Sequence, residues 1–305
     1  KDIAAKYKAA GCDSIIAVGG GSVLDTAKGV NILVSENSDN LMDFVGFGAL
    51  KRRLKPLIAV PTTSGTGSEM TLVAVIADHE RDVKMLFPSL FLLPDFAVLD
   101  SRMTKTLPAA LTAFTGMDAM THACEGYTCL SKNPLSDATA IMAIKLISEN
   151  VLKAVKKPDD MDARLALANG SALAGMSFSN SMVGMVHAIG HSIGAICHVA
   201  HGICMSILLP YGLEYNLHKT GHLTGELLFP LKGAEAYNSA KPEERPLLAI
   251  AAIRGLNAEL RKATGGKHPT CLKEIVDRNG NLMVPRESLS DIAKLSLNDG
   301  AMVYN

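Results

Sequence analysis

The stretch from Ser14 to Lys28 constrains the fold more than any other. Ser14 to Val18 is a short apolar run, Gly19-Gly20-Gly21 follows it, and from Ser22 the apolar residues recur at helical spacing. Strand, glycine turn and helix make a βα unit, and a strand that leads straight into a helix is a strand of a parallel sheet. The surrounding sequence repeats this alternation. A short amphipathic run ends at Ala10, and further strands are expected at Leu57 to Val60, Leu72 to Ala77, Val83 to Phe87 and Phe96 to Leu99. Each is short, apolar and bounded by proline, charge or glycine.

Beyond Asp100 the period changes. Apolar residues recur at helical spacing near Leu111 to Leu130, Leu135 to Val155, Met161 to Phe178, Met182 to Ala195, Leu247 to Thr264 and Leu289 to Leu297. Pro134, Pro158, Gly194, Gly202, Pro210 and Gly265-Gly266 fall at the expected helix ends. The expectation is an α/β domain over residues 1–105 and an all-helical domain over residues 106–305. A chain of 305 residues has room for two cores and a cleft between them. It opens on Lys1, partway into what reads as the helix before a strand, so a fragment is expected.

Charge and composition exclude several classes. Thirty basic residues cancel thirty acidic ones, so no global field draws the protein to nucleic acid or anionic lipid. The basic run Lys51, Arg52, Arg53, Lys55 reads as a solvated surface. No apolar stretch approaches the roughly 20 residues that span a bilayer, and a soluble cytoplasmic protein is expected. Cys12, Cys124, Cys129, Cys197, Cys204 and Cys271 include no CxxC pair and read as reduced thiols.

Two loops at strand ends offer backbone and hydroxyl donors. At Gly19-Gly20-Gly21-Ser22 bare backbone lets an anion approach the N–H groups that open a helix. Leu24 replaces the third glycine of the GxGxxG pattern, and a tight turn with Ser22 as cap and Asp25 accepting first-turn N–H groups is an equal reading. Pro61 to Glu69 packs five hydroxyls and two glycines into nine residues, a composition suited to phosphate and ribose, although serine and threonine turns are common. Two such loops in one α/β domain favour a dinucleotide.

In the helical part, Asp118 and His122 stand four apart and share a helix face. His187, His191, His198 and His201 crowd into fifteen residues, whereas His79, His218, His222 and His268 have no such context. On a straight helix His187 and His201 would lie roughly 21 Å apart, far beyond metal bonds of about 2.1 Å. The helix must therefore break, and Gly194 with Cys197 to Gly202 can turn the chain back before a new helix at Ile203. One carboxylate and three imidazoles suit a borderline divalent ion such as iron or zinc, with a position open to a substrate oxygen.

These residues together resemble the iron-containing (group III) alcohol dehydrogenase family. The likeness is carried by Gly19 to Lys28, Pro61 to Glu69, Gly116 to Tyr127, His187 to His191 and His201-Gly202, and runs nearly end to end. It implies a Rossmann-like N-terminal dinucleotide-binding domain, incomplete at its N-terminus, and an all-α C-terminal metal-binding domain. It places Asp118, His122, His187 and His201 on the metal, and Gly20, Gly21, Ser22, Asp25, Thr62, Thr63 and Thr66 around NAD or NADP, with Lys84 as an addition. His191 resembles the family's extra histidine near the nicotinamide, a proton relay. The resemblance also implies a strand and nucleotide-binding turn ahead of Lys1 and a longer C-terminus.

The activity implied is hydride transfer between nicotinamide and a short-chain primary alcohol or diol, or the corresponding aldehyde, in a homodimer or higher homo-oligomer. The competing readings are a glycerol dehydrogenase-like polyol oxidoreductase and a structural filament or shell segment of a larger enzyme.

Overall fold

A computed structural model describes residues 1–78 and 83–305, with the side chains of residues 77, 78, 83 and 84 outside the described set. Helix α1 (Asp2–Ala9) leads into strand β1 (Ile15–Gly19), and helix α2 (Gly21–Glu36) follows the glycine turn. Strands β2 (Leu57–Pro61) and β5 (Phe96–Ala97) join β1 in a parallel sheet of order β1-β2-β5, with Gly19 opposite Pro61. Strands β3 (Val73–Asp78) and β4 (Val83–Pro88) form a separate antiparallel hairpin.

The register explains the geography. Because β1 and β2 run parallel and in step, the glycine turn after Gly19 and the threonine loop after Pro61 emerge side by side from one sheet edge. Ala17, Leu24, Leu57 and Ala59 close the space between α2 and the sheet. Ile16, Val18 and Phe96 remain exposed on the sheet. Arg52 reaches Glu36 and Arg53 reaches Asp95 at the protein surface.

Two side chains on α2 tie that helix to the segment after the threonine loop. Lys28 is fully buried, and its ammonium donates to Thr71 O, Thr71 Oγ1 and Val73 O at 2.8–3.0 Å. Asp25 accepts from Ser68 Oγ at 2.6 Å and from Val75 N–H at 2.9 Å. Burial pushes Lys28 down to about 8 and Glu69 beside it up to about 7, with their mutual attraction and that of Asp25 opposing the shift on the lysine.

The long helices begin at α3 (Ala109–Thr128), followed by α4 (Pro134–Lys156) and α5 (Met161–Ser181). Asn133 starts α4 through a capping box: its Oδ1 accepts from Leu135 and Ser136 N–H, while Ser136 Oγ accepts from Asn133 N–H, and Pro134 fits the first turn. Alanines 113, 119 and 123 of α3 and 140, 143 and 154 of α4 are buried in one cluster with Met117, Ile144, Ile147 and Leu167, the small side chains permitting close approach. Helices α6 (Met185–Cys197) and α7 (His201–Tyr215) pack on this bundle, with α8 (Leu217–Glu226), α9 (Leu228–Ser239), α10 (Arg245–Ala263) and α11 (Leu289–Leu297) around them. Helices α8 and α9 were not anticipated from the sequence. No helix among the described residues is long and apolar enough to cross a membrane. Among the described residues Cys12, Cys124, Cys129, Cys197 and Cys271 are free thiols.

The strand-rich and helical parts meet through backbone. Gly67 adopts φ +60°, and a Cβ there would lie 2.7 Å from Gly175 Cα and 2.8 Å from Ser171 O on α5. Gly65 sits likewise against Thr115 of α3, one turn before Asp118. Only glycine allows the threonine loop to lie this close to the helices.

Candidate functional site

The constellation in the helical part starts on α3. Asp118 and His122 project from the same buried face, as the four-residue spacing dictates. His187 lies in the first turn of α6, and His201 opens α7. Between them the chain reverses at His198, whose φ of 54° ends α6 in the left-handed region. Gly194 does not break the helix, as its sequence position had suggested; it lies inside α6, and α7 starts at His201 rather than Ile203.

This reversal brings one ligand-type atom from each of Asp118, His122, His187 and His201 within 4.8 Å of all the others. Asp118 Oδ1 stands 3.2 Å from His201 Nε2, and the His122 ring stacks on His187 at 4.5 Å and on Phe178 at 4.3 Å. Asp118 Oδ1, His122 Nδ1 and His187 Nε2 are buried without a hydrogen-bond partner among the described residues. Orphaned buried polar atoms are costly, and three converging on one point fit a cation that would satisfy them together.

Electrostatics agree with that donor set. Burial would raise the Asp118 carboxyl, but His122, His201 and His187 around it reverse the effect and hold it well below the usual carboxylate range. Burial pushes His122 down to about 3 and His187 well below its ordinary value, which favours the neutral, ligating form of both rings. The cluster is closed on the side of Phe178 and open on the other: His201 keeps 37% of its side-chain surface exposed and neighbouring His191 keeps 38%.

His191 stands one turn after His187, its ring 5.3 Å from that of His201, and its Nδ1 lies 2.9 Å from Asp299 Oδ2. Asp299 and Glu125 are site residues that sequence reasoning did not find. Glu125 is buried on α3 one further turn past His122. Its Oε1 accepts from Val186 N–H at 2.7 Å, and its Oε2 lies 2.5 Å from His187 Nδ1. Burial pushes its carboxyl up to about 7 against the opposing pull of the Val186, Gly184 and His187 amides. The signal for Glu125 was available, since 118, 122 and 125 follow one helical stripe; Asp299 gave none, its partner lying 108 residues away.

Among the residues expected around a cofactor, Gly20 and Gly21 face Thr63 and Thr66, a Cβ on Gly21 lying 2.6 Å from Thr66 Cγ2. Thr62 donates its N–H to Gly19 O at 2.9 Å, so the two loops form one continuous rim. Ser22 is exposed but makes no cap hydrogen bond, Gly20 standing at the N-cap of α2. Asp25 sits behind the rim with both carboxylate oxygens engaged by Ser68 and Val75, and does not accept the first-turn N–H groups of its own helix. The backbone of Lys84 lies in β4, and its side chain lies outside the described residues, as does His79.

The sequence matches the iron-containing alcohol dehydrogenase family over residues 1–101, and the C-terminal part of the Fe-containing alcohol dehydrogenase family over residues 112–275. The chain belongs to the iron-containing alcohol dehydrogenase family. Among members of this family it is 44% identical to the probable alcohol dehydrogenase EutG of Escherichia coli K12, over 70% of this chain and 53% of that one. It is 38% identical to the NAD-dependent methanol dehydrogenase of Bacillus methanolicus, over 80% of this chain and 64% of the relative. The solved alcohol dehydrogenase from Oenococcus oeni superposes on all of this chain and 75% of its own, at a TM-score of 0.91 and 34% identity. The chain thus spans between about half and two thirds of the length of these two curated relatives. The family fold agrees with the α/β part followed by a helical part seen here.

Proposed function

We propose that this chain carries the metal centre and much of the nucleotide rim of a metal-dependent, NAD- or NADP-linked alcohol dehydrogenase acting on a short primary alcohol or diol, or on the matching aldehyde. The observation that carries this reading is the set of four ligand-type atoms within 4.8 Å, three of them buried without a hydrogen-bond partner among the described residues. Asp118, His122, His187 and His201 would hold a divalent ion, Fe2+ ahead of Zn2+. When bound, the ion supplies Lewis acidity to an alcohol or carbonyl oxygen and the nicotinamide supplies or accepts a hydride.

The residues of the chain do the rest. Asp118 sets one negative charge against the cation, and the neutral imidazoles complete the donor set. Phe178 and His122 wall off water on the buried side, leaving the approach past His201 and His191 for substrate. His191, with Nδ1 on Asp299, is positioned to pass a proton between that opening and solvent. Gly20, Gly21, Ser22, Thr62, Thr63 and Thr66 would cradle the cofactor phosphates, while Asp25 holds the rim from behind. The contact of Gly65 with Thr115 puts the rim one helical turn from Asp118 and supports a shared cleft.

This reading divides the chain into a dinucleotide-binding part, residues 1–105, and a metal and substrate part, residues 106–305. It locates the enzyme in the cytoplasm as a homodimer or higher homo-oligomer, as the family resemblance implies. The test is bound metal measured beside turnover of short alcohols, diols and aldehydes with both cofactors, in the parent and in His187→Ala and His201→Ala. Loss of metal and turnover together is expected. Parental turnover in a metal-free variant would refute the assignment.

A further inference from the structure

We infer that Glu125 is the positioning residue that fixes His187 for the ion, joining the seating of helix α6 to the affinity of the site. The inference rests on the metal reading above. Both Glu125 oxygens already act as acceptors: Oε1 takes Val186 N–H at 2.7 Å and Oε2 takes the longer His187 N–H at 3.4 Å. The 2.5 Å contact between Oε2 and His187 Nδ1 therefore takes its proton from the ring. With the proton on Nδ1, the lone pair of Nε2 faces Asp118 and His122, and that Nε2 is one of the orphaned atoms. The protonation of one ring nitrogen is set by the hydrogen bond the other makes, and an imidazole with N–H toward the ion cannot ligate it.

One carboxylate thus does two jobs at the start of α6. It satisfies N–H groups left open by the first helical turn, and it selects the ring form that binds. Glu125 comes from α3, the helix that carries Asp118 and His122, so α6 docks in register with the other ligands. Gly184 makes room for it: a Cβ at that position would lie 3.1 Å from Glu125 Oε1.

Glu125→Gln separates these roles. A carboxamide has one acceptor oxygen; with that oxygen kept on Val186 N–H, its NH2 donates to His187 Nδ1 and forces the N–H toward the site. At pH 8, Zn2+ affinity by chelator competition is expected to fall about 10- to 100-fold, the range for losing such a partner, while the metal-free protein keeps its thermal midpoint. In a His187→Ala background the same substitution is expected to change affinity less than twofold, because there is no ring left to orient. Equal losses in both backgrounds, or parental affinity in folded E125Q, overturn the inference. If E125Q does not fold, Gly184→Ala displaces the carboxylate without changing its chemistry, and the same pair of backgrounds decides. A parent chain that takes up no Zn2+ overturns this inference and the metal reading together. A parent that binds Zn2+ but turns over no alcohol overturns the proposed activity alone, and the affinity ratio still decides Glu125.

Discussion

Replacing Gly67 with alanine tests how the threonine loop is held against the helical part. Two costs add. Gly67 has φ +60°, a region that costs a residue bearing a Cβ about 1–2 kcal/mol. The new Cβ would also lie 2.7 Å from Gly175 Cα, 2.8 Å from Ser171 O and 3.0 Å from Gly175 N, all backbone atoms that no rotamer change can move. Overpacking of this kind costs roughly 1–3 kcal/mol, which brings the expected loss for G67A to about 2–5 kcal/mol. Gly175→Ala meets the same backbone from the other side, at 2.7 Å from Gly67 O, but in a helix where alanine is favoured, so it carries the overlap cost alone. Gly255→Ala is the control of opposite sign. It lies inside α10 with nothing within 4 Å of its Cβ and should stabilise by about 1 kcal/mol. Urea unfolding of the four proteins should rank G255A above the parent, the parent above G175A, and G175A above G67A, with each kcal/mol worth roughly 2–4 °C in a thermal scan. If G67A were as stable as G175A, the left-handed backbone would not be enforced; if both matched the parent, the loop would not rest on α5.

The remaining predictions concern buried charge and the ion. Lys28→Met removes the donor to Thr71 and Val73 and leaves Asp25 and Glu69 without their cation, so stability should fall by roughly 3–5 kcal/mol, with faster amide exchange across residues 62–71; unchanged exchange there would remove the tie between α2 and the loop. His268 is fully buried, donates from Nε2 to Asn257 Oδ1, has no hydrogen-bond partner at Nδ1 among the described residues, and is pushed by burial from 6.5 down to about 4. Its depressed value means that stability is complete above pH 6.5 and lost as pH falls through 4, by about 3 kcal/mol; His268→Gln should flatten that slope in acid titrations of unfolding, and an unaltered slope would exclude this histidine as its source. Zn2+ at about a hundredfold its dissociation constant should stabilise the parent by about 2.7 kcal/mol, an increment that Asp118→Asn should abolish; equal stabilisation of both proteins would place the ion elsewhere.

The parts of the site legible in the sequence were those written by a local period. Asp118 and His122 are a turn apart because a helix has one geometry, and the sheet edge that gathers Gly20 and Thr63 follows from two βα-type strand ends in parallel register. The requirement for a reversal between His187 and His201 was legible as well, since no straight helix satisfies the distance. The residue that performs it was not: glycine was the natural suspect, and His198 adopts the left-handed conformation instead. The partners of Asp25 were hidden for a related reason. The glycine-turn motif allowed it to accept from the first turn of its own helix, whereas its oxygens accept from Ser68 and Val75, which tertiary packing alone brings near. Glu125 and Asp299 belong to the same class, their partners lying far along the chain.

The arrangement of ligands along the sequence also dictates when the site can exist during folding. His187 and His201 are near neighbours in the chain and can meet as soon as the turn at His198 forms, but Asp118 and His122 precede them by the whole of α4 and α5. Closing that long loop waits on the docking of the intervening pair. Under the proposed metal reading an ion arriving early would find two imidazoles, and only the finished bundle would offer four donors, so capture would be a late event that seals a domain already assembled.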